Sequence, residues 1–334
     1  MKILFYDVKK NELEYFLERL PEKVEAYFFK NLINETVYVD SKYFDVEALS
    51  VFVGSELNQK VLSKFKNLKF IFLRSVGYSN VDLEYCKNNN IYVFNTPNYG
   101  NSTVAEYVFA LLLALSKKII QGHKAIINGD IEQEYLRGIE LFQKTMGVIG
   151  VGAIGRKVVN IAYGFGMDVL AYDVNKNGAY NFVELDELLK KSDFVSINCP
   201  LNEHTRNLID KIAISKMKKN AILINTARGE IIDSEALYYA LAENKIKGAA
   251  LDVVECEEYL CQNWKKCNKN IGIKSTCFKK FFFNQKLLQL QNVLITPHNA
   301  YNTKEAQKRI LDITIENINS SFDISYGAKN LVLL

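Results

Sequence analysis

Three glycines, an acid, an arginine and a histidine carry the chemistry legible in this chain. Gly150, Gly152 and Gly155 are spaced G-x-G-x-x-G and directly follow an apolar run at 146–150. Beyond them, Ile154, Val158, Ile161 and Phe165 fall on one helical face. Glycines at such a strand-to-helix junction permit a tight turn and let a pyrophosphate approach a helix N-terminus, where free N–H groups and the dipole attract anions. Asp173 closes the next apolar run. A carboxylate there takes the ribose hydroxyls of a dinucleotide and repels a 2′-phosphate, so the pattern favours NAD over NADP. Taken without its context, the glycine triplet would serve a flavin or another nucleotide equally well.

The discriminating residues come at the C-terminal ends of the later apolar runs, where an open α/β sheet places its ligand chemistry. Those ends read Asn198-Cys199-Pro200, Asn225-Thr226-Ala227-Arg228-Gly229, Asp252 through Glu257, and Pro297-His298-Asn299-Ala300. Together they offer one guanidinium, several acids and one imidazole. A guanidinium grips a carboxylate through two oxygens at once. An imidazole near pH 7 exchanges a proton with an oxygen that gains or loses charge. Of the other two histidines, His123 lies among polar residues and His204 in a polar loop, so both read as solvated. No spacing in the chain demands a metal. The six cysteines include Cys256, Cys261, Cys267 and Cys277 at wide, irregular intervals, which reads as reduced thiols and not as a zinc site.

Elements that could position these groups alternate along the chain. Strand-like runs at 3–6, 50–53, 69–73 and 91–94 are separated by amphipathic stretches at 11–20, 58–65 and 81–88. The rhythm restarts with runs at 146–150, 168–172, 194–198, 221–225, 248–252 and 293–296, with helical stretches between them. Strands in βα succession imply parallel sheets covered on both faces, and six of them match a doubly wound dinucleotide-binding sheet. A long apolar helix at 102–118, with Ser102 expected as its N-cap, separates the two blocks. Segment 119–143 fits neither sheet and reads as an extended arm. About forty residues separate Asp252 from Val293, more than a simple crossover needs.

Composition sets the outer bounds. The 334 residues suggest two domains, and 49% hydrophobic with 24% charged residues is the balance of a globular chain. The net charge of +4 is spread without a basic block, which gives no ground for a nucleic-acid or membrane-surface partner. The longest apolar stretch, 107–115, is far short of the ~20 residues of a membrane helix. Asp7 arrives too early for a signal peptide, so secretion is not expected.

Ser75-Val76-Gly77, Asn95 to Tyr99, Thr103 to Glu106, the glycine motif, Asn225 to Gly229, Leu251 to Val253, Glu257 and Thr296 to Tyr301 resemble, in order and spacing, the D-isomer-specific 2-hydroxy acid dehydrogenases. The resemblance spans essentially the whole chain. It looks closest to the D-lactate dehydrogenase branch, through Arg74 to Tyr78, Tyr99, the insertion after Glu257, and Tyr301. The resemblance implies an α/β architecture with a Rossmann NAD-binding domain at 100–299 and a smaller flavodoxin-like substrate domain formed by 1–99 and 300–334. It makes Arg228 the holder of the substrate carboxylate and carbonyl oxygen, His298 the acid/base, and Glu257 its partner. Val76, Gly77, Tyr99 and Tyr301 become substrate-binding. Gly150, Gly152, Ala153, Ile154, Gly155, Asp173, Cys199, Pro200, Thr205, Thr226, Ala227, Asp252, His298 and Ala300 line the NAD site. The implied reaction is hydride transfer between NAD and a small 2-hydroxy acid, foremost pyruvate and D-lactate. Phenylpyruvate, 2-ketoisocaproate, glyoxylate and phosphohydroxypyruvate are same-family alternatives, and an NAD-sensing corepressor is a non-catalytic one. A cytoplasmic homodimer, joined through the arm after helix 102–118, completes the implication.

Overall fold

A computed structural model of the chain describes residues 1–129, 131–260, 275–323 and 329–333. Short β-branched and aromatic runs bounded by turn residues become strands, as their half-buried or fully buried patterns require. The N-terminal block contains β1 (Lys2–Phe5), α1 (Lys10–Arg19), β2 (Glu25–Phe28), β3 (Ala48–Val51), α2 (Gln59–Leu62), β4 (Phe70–Leu73), α3 (Leu83–Asn88) and β5 (Tyr92–Phe94). Next come α4 (Asn101–Ser116), α5 (Ile119–Asn128), β6 (Thr145–Ile149), α6 (Ala153–Gly164), β7 (Asp168–Tyr172), α7 (Leu185–Lys191), β8 (Phe194–Ile197), α8 (Lys211–Lys216), β9 (Ile222–Asn225), α9 (Ser234–Ala242), β10 (Gly248–Leu251), α10 (Ser275–Leu287) and β11 (Val293–Ile295). The chain ends with α11 (Lys304–Ser320) and β12 (Leu331–Leu333).

These elements form two compact units: Met1–Gly100 with Thr303–Leu334, and Asn101–Asn302. In the first, the sheet order is β12-β5-β4-β3-β1-β2. Its five N-terminal strands are parallel in the order 2-1-3-4-5, and β12 joins β5 antiparallel. That is the flavodoxin-like doubly wound order. Arg74, at the end of β4, is fully buried and donates to the carbonyls of Tyr6 and Asp7 and to Ser50, so it ties the C-terminal ends of β1, β3 and β4. Burial pulls its pKa down to about 10, with Glu12 and Asp7 opposing. The half-buried edge strand β2, paired Lys2↔Glu25 through Phe5↔Phe28, has too short and mixed a pattern to read from sequence.

In the second unit the order is β11-β10-β9-β8-β6-β7, all parallel. An isolated bridge sets Phe182 beside Ala171 of β7. Counted as the third strand, it completes the Rossmann order 3-2-1-4-5-6, with β11 as a seventh strand. The six expected strands are therefore present, but they are not the six of that order: the third has shrunk to a bridge. One apolar cluster lies on each side of this sheet, centred on Val195, Leu223 and Leu251 and on Val148, Val158 and Ile224.

Three sequence expectations need correction. Segment 119–143 is not extended throughout, because 119–128 forms α5 after a left-handed residue, Lys118, breaks it from α4. Helix α4 begins at Asn101, one residue ahead of the expected cap Ser102, because residues 97–100 already form turns. Cys256 and Cys277 are joined in a disulfide, while Cys86 and Cys199 are free thiols. The wide spacing hid the pair because its second member is brought back by α10, to a Cα–Cα distance of 5.8 Å. Cys261 and Cys267 lie outside the described residues. Among the described residues, no helix is long and apolar enough to cross a membrane.

Candidate active site

Strand β6 delivers the chain to the glycine loop. Gly150 has φ +88°, and a Cβ there would lie 2.6 Å from the main-chain nitrogen of Cys199. A Cβ on Gly155 would sit 2.0 Å from the carbonyl oxygen of Gly150, so only glycine lets α6 pack against the turn. Gly152 behaves differently: a Cβ there would meet nothing within 4 Å. It is the N-cap of α6, and no side chain caps it. The first-turn N–H groups, with Ala153 and Ile154, thus adjoin open space suited to a pyrophosphate. At the end of β7, Asp173 accepts hydrogen bonds from the Val151 N–H at 2.7 Å and the Asn175 N–H at 2.9 Å, which sets its carboxylate against the glycine loop. These residues fit a dinucleotide with free ribose hydroxyls.

Residues after β8 and β9 continue the same edge. Cys199 is half-buried beside Gly150, and burial pushes its thiol up to about 11, which makes it a packing group and not a nucleophile. Thr205 donates to the carbonyl of Pro200 at 2.7 Å and accepts from the Asn202 N–H, folding the loop back on itself. Thr226 is buried with its hydroxyl unpartnered among the described residues.

The three chemical residues all belong to this second unit. Asn225, fully buried at the end of β9, accepts from the Ala227 N–H and donates to the Arg228 carbonyl, both at 2.9 Å, and so shapes the turn that presents Arg228. The next residue, Gly229, touches the loop after β10: a Cβ would lie 2.0 Å from the carbonyl carbon of Val254. That contact brings the Arg228 turn against the segment carrying Glu257. Beyond β11, His298 takes a left-handed conformation, φ 50°, uncommon for a non-glycine residue. It is held there by its N–H to the carbonyls of Asp252 and Thr296. Asp252, 1% exposed, accepts from Thr296 Oγ1 at 2.6 Å and from the N–H groups of Asn299 and Ala300 at 2.8 Å. One carboxylate thus organises the whole 296–300 turn.

His298 Nδ1 lies 2.5 Å from Glu257 Oε1, and the Tyr301 ring stands edge-on to the imidazole at 6.4 Å. Burial is the largest influence on the imidazole and opposes its charge. The hydrogen bond and charge of Glu257, helped by Asp252 and resisted by Arg228, outweigh it and hold the pKa above the ordinary 6.5. With Nδ1 fixed by the carboxylate, Nε2 is the nitrogen available to exchange a proton.

Val76, Gly77 and Tyr99 belong to the other unit. Ser75 Oγ donates to the Gly77 carbonyl at 2.7 Å, and Asn95 Nδ2 to the Val76 carbonyl at 2.9 Å, so the loop after β4 is pinned to the end of β5. Val76 is 44% exposed, and the half-buried Tyr99 accepts from Arg309 through its carbonyl. His123 and His204 are exposed. The positioning roles of Asn225, Gly229 and Thr296 escaped the sequence reading. Their only signal is a small or polar residue placed directly at a strand's C-terminal end or in the turn after it.

A doubly wound sheet with a glycine loop, an acid at the end of the next strand and an imidazole beyond the last strand, paired with a carboxylate from the segment after β10, fits a nucleotide-dependent oxidoreductase. The chain belongs to the D-isomer-specific 2-hydroxyacid dehydrogenases: the model of that family's NAD-binding domain matches residues 109–300. It is similar to the D-lactate dehydrogenase of Aquifex aeolicus solved with NAD and lactic acid, with 34% identity, TM-score 0.86 and 99% of each chain covered. It is 37% identical to the hydroxypyruvate reductase of Thermotoga maritima over 80% of this chain and 81% of that protein. It is also 37% identical to the D-3-phosphoglycerate dehydrogenase of Methanocaldococcus jannaschii, over 83% of this chain but half the length of that protein. The cofactor is NAD.

The role of Asp173 is open to a direct test. Wild type should prefer NADH to NADPH strongly, and Asp173→Ala should shrink the preference by weakening NADH roughly 10-fold or more, the scale of a lost hydrogen bond to a charged group. Steady-state KM values for both cofactors decide this, and equal use of both by wild type would remove Asp173 from the ribose site.

Proposed function

We propose that this dehydrogenase interconverts pyruvate and D-lactate, with Arg228 as carboxylate and carbonyl anchor, His298 as acid/base and Glu257 as the partner that keeps the imidazole charged. The observation that carries the chemistry is the 2.5 Å contact of His298 Nδ1 with Glu257, in the same unit as the Arg228 turn. Bound NADH supplies the hydride. Charge then grows on the substrate carbonyl oxygen, and His298 Nε2–H is the donor suited to neutralise it. Arg228 holds the adjacent carboxylate, with Tyr301 beside the imidazole, and Val76, Gly77 and Tyr99 are the further substrate-binding residues of this proposal. Asp252 acts as the support of the 296–300 turn; Thr226, Ala227, Pro200, Thr205 and Ala300 line the cofactor.

Similarity over nearly the full chain to a lactate-bound dehydrogenase supports lactate as substrate. The hydroxypyruvate and glyoxylate reductases among the relatives favour a second reading with another small 2-keto acid. NADH oxidation should be followed with pyruvate, hydroxypyruvate, glyoxylate, phenylpyruvate, 2-ketoisocaproate and phosphohydroxypyruvate. Pyruvate should give the highest kcat/KM; a higher value for any other acid reassigns the substrate. The proposed setting is the cytoplasm, and the proposed assembly a homodimer. The homodimer is supported by exposed Ile119, Ile126 and Ile127 on α5, a stripe that a second copy would cover.

A further inference from the structure

Glu257 stands at the end of a segment fastened, residue by residue, to one face of α10. Cys256, its immediate neighbour, is bonded to Cys277. Glu255 pairs with Lys280 at 2.9 Å, and its carbonyl accepts from Asn284 Nδ2 at 2.7 Å. Residues 277, 280 and 284 recur at helical spacing, so they lie along one stripe. Phe281 and Cys277 pack with Tyr259 in a small apolar cluster of their own. Cys256 itself is left-handed, φ 58°, a conformation that turns the chain just before the catalytic carboxylate. The helix belongs to the long insertion between β10 and β11, for which the hydride-transfer chemistry assigns no task.

We propose that the Cys256–Cys277 bond and the α10 face beside it form a redox-set clamp that positions Glu257 against His298. The inference rests on the acid–base pair proposed above. Cys256 and Cys277 are positioning residues: neither touches the reacting atoms, and both act through Glu257. The hydrogen bond of 2.5 Å needs the carboxylate fixed within a fraction of an ångström, and a bond to the adjacent residue does that more rigidly than the Glu257 backbone could alone. In the cytoplasm proposed above, a disulfide is usually transient and catalytic or redox-sensing, and this one adjoins the proposed proton-transfer pair. Opening proceeds by thiol–disulfide exchange. A dithiol's thiolate attacks one sulfur and releases the other as thiolate; the second thiol then displaces the mixed disulfide. Cys256 and Cys277 gain two electrons and two protons, and the dithiol becomes a disulfide. Among the described residues, the other charges near the pair include Asp252 and Arg228 about His298, and on α10 Lys280 paired with Glu255 and Lys279 paired with Glu235.

The test uses the full chain equilibrated with oxidised glutathione or with dithiothreitol, thiols counted in each state, and kcat/KM for the best keto acid recorded against pH. The oxidised protein should show two fewer thiols. Reduction should move the alkaline limb to lower pH and lower kcat about 10-fold, below the ~100-fold of a full 1 Å misplacement, with KM for NADH unchanged. Reoxidation should restore both. Cys256→Ser/Cys277→Ser should stay in the reduced profile whatever the treatment, and Cys261→Ser/Cys267→Ser should respond as wild type. Should the first variant not fold, the reversible cycle in wild type still decides. Six thiols after oxidation, or superposable profiles in the two states, overturn the clamp. If those profiles coincide while Glu257→Gln still shifts the limb, the pair survives and only the clamp is lost. A Glu257→Gln limb identical to wild type overturns the pair, and the clamp with it.

Discussion

Arg228→Lys should lose most of the keto acid reduction although the charge is kept. A guanidinium offers two parallel N–H groups to a carboxylate and further donors to the neighbouring carbonyl oxygen, whereas an ammonium is a point charge on a flexible stem. The lost charge-assisted bonds are worth about 1.5–3 kcal/mol, or roughly 10- to 150-fold in kcat/KM. The Arg228 turn is built chiefly by Asn225 and by the Gly229–Val254 contact, to which the guanidinium adds one bond, from Nη1 to the adjacent Ala227 carbonyl at 2.6 Å. The Lys variant should therefore fold and bind NADH as wild type does. Near-wild-type kcat/KM for pyruvate in a folded variant would place carboxylate recognition elsewhere.

Much of the second unit was legible because its signals are local. The glycine triplet must lie between a strand and a helix, and Asp173 must end the next strand, so sequence spacing alone puts them on one edge. His298 and Arg228 were legible by the same logic, being a rare imidazole and guanidinium at strand ends. What stayed hidden depends on contacts distant in sequence. The function of Asp252 as the support of the 296–300 turn is set by bonds spanning more than forty residues. The Cys256–Cys277 bond needs α10 to bring its partner back. In the first unit, β2 is four residues long and only half-buried, and what fixes it is its pairing with β1 and the packing of Phe28 on Phe5 and Phe16, contacts that its own short pattern does not announce. The shrinking of the third Rossmann strand to the Phe182 bridge is equally non-local.

His298→Ala should cost most, on the order of 10²–10⁴-fold in both directions, as expected for loss of a general acid/base. The partner carboxylate can be tested more finely through pH. Burial disfavours imidazolium, and Glu257 reverses that balance, so the folded pKa stands above its ordinary value. With His298 as the proposed acid, reduction should be sustained below that pKa, where the imidazole is protonated, and fail as pH rises through it. Oxidation of the hydroxy acid requires the neutral form and should rise over the same range. Glu257→Gln keeps the size and a hydrogen bond but removes the charge, leaving burial and Arg228 to dominate, so the pKa of His298 should fall. The alkaline limb of reduction should then lie at lower pH than in wild type, while oxidation at high pH is less affected. Profiles of kcat/KM for pyruvate and D-lactate, with NADH binding measured to confirm folding, decide the matter. Identical alkaline limbs in the two proteins would mean that proton transfer does not run through this pair.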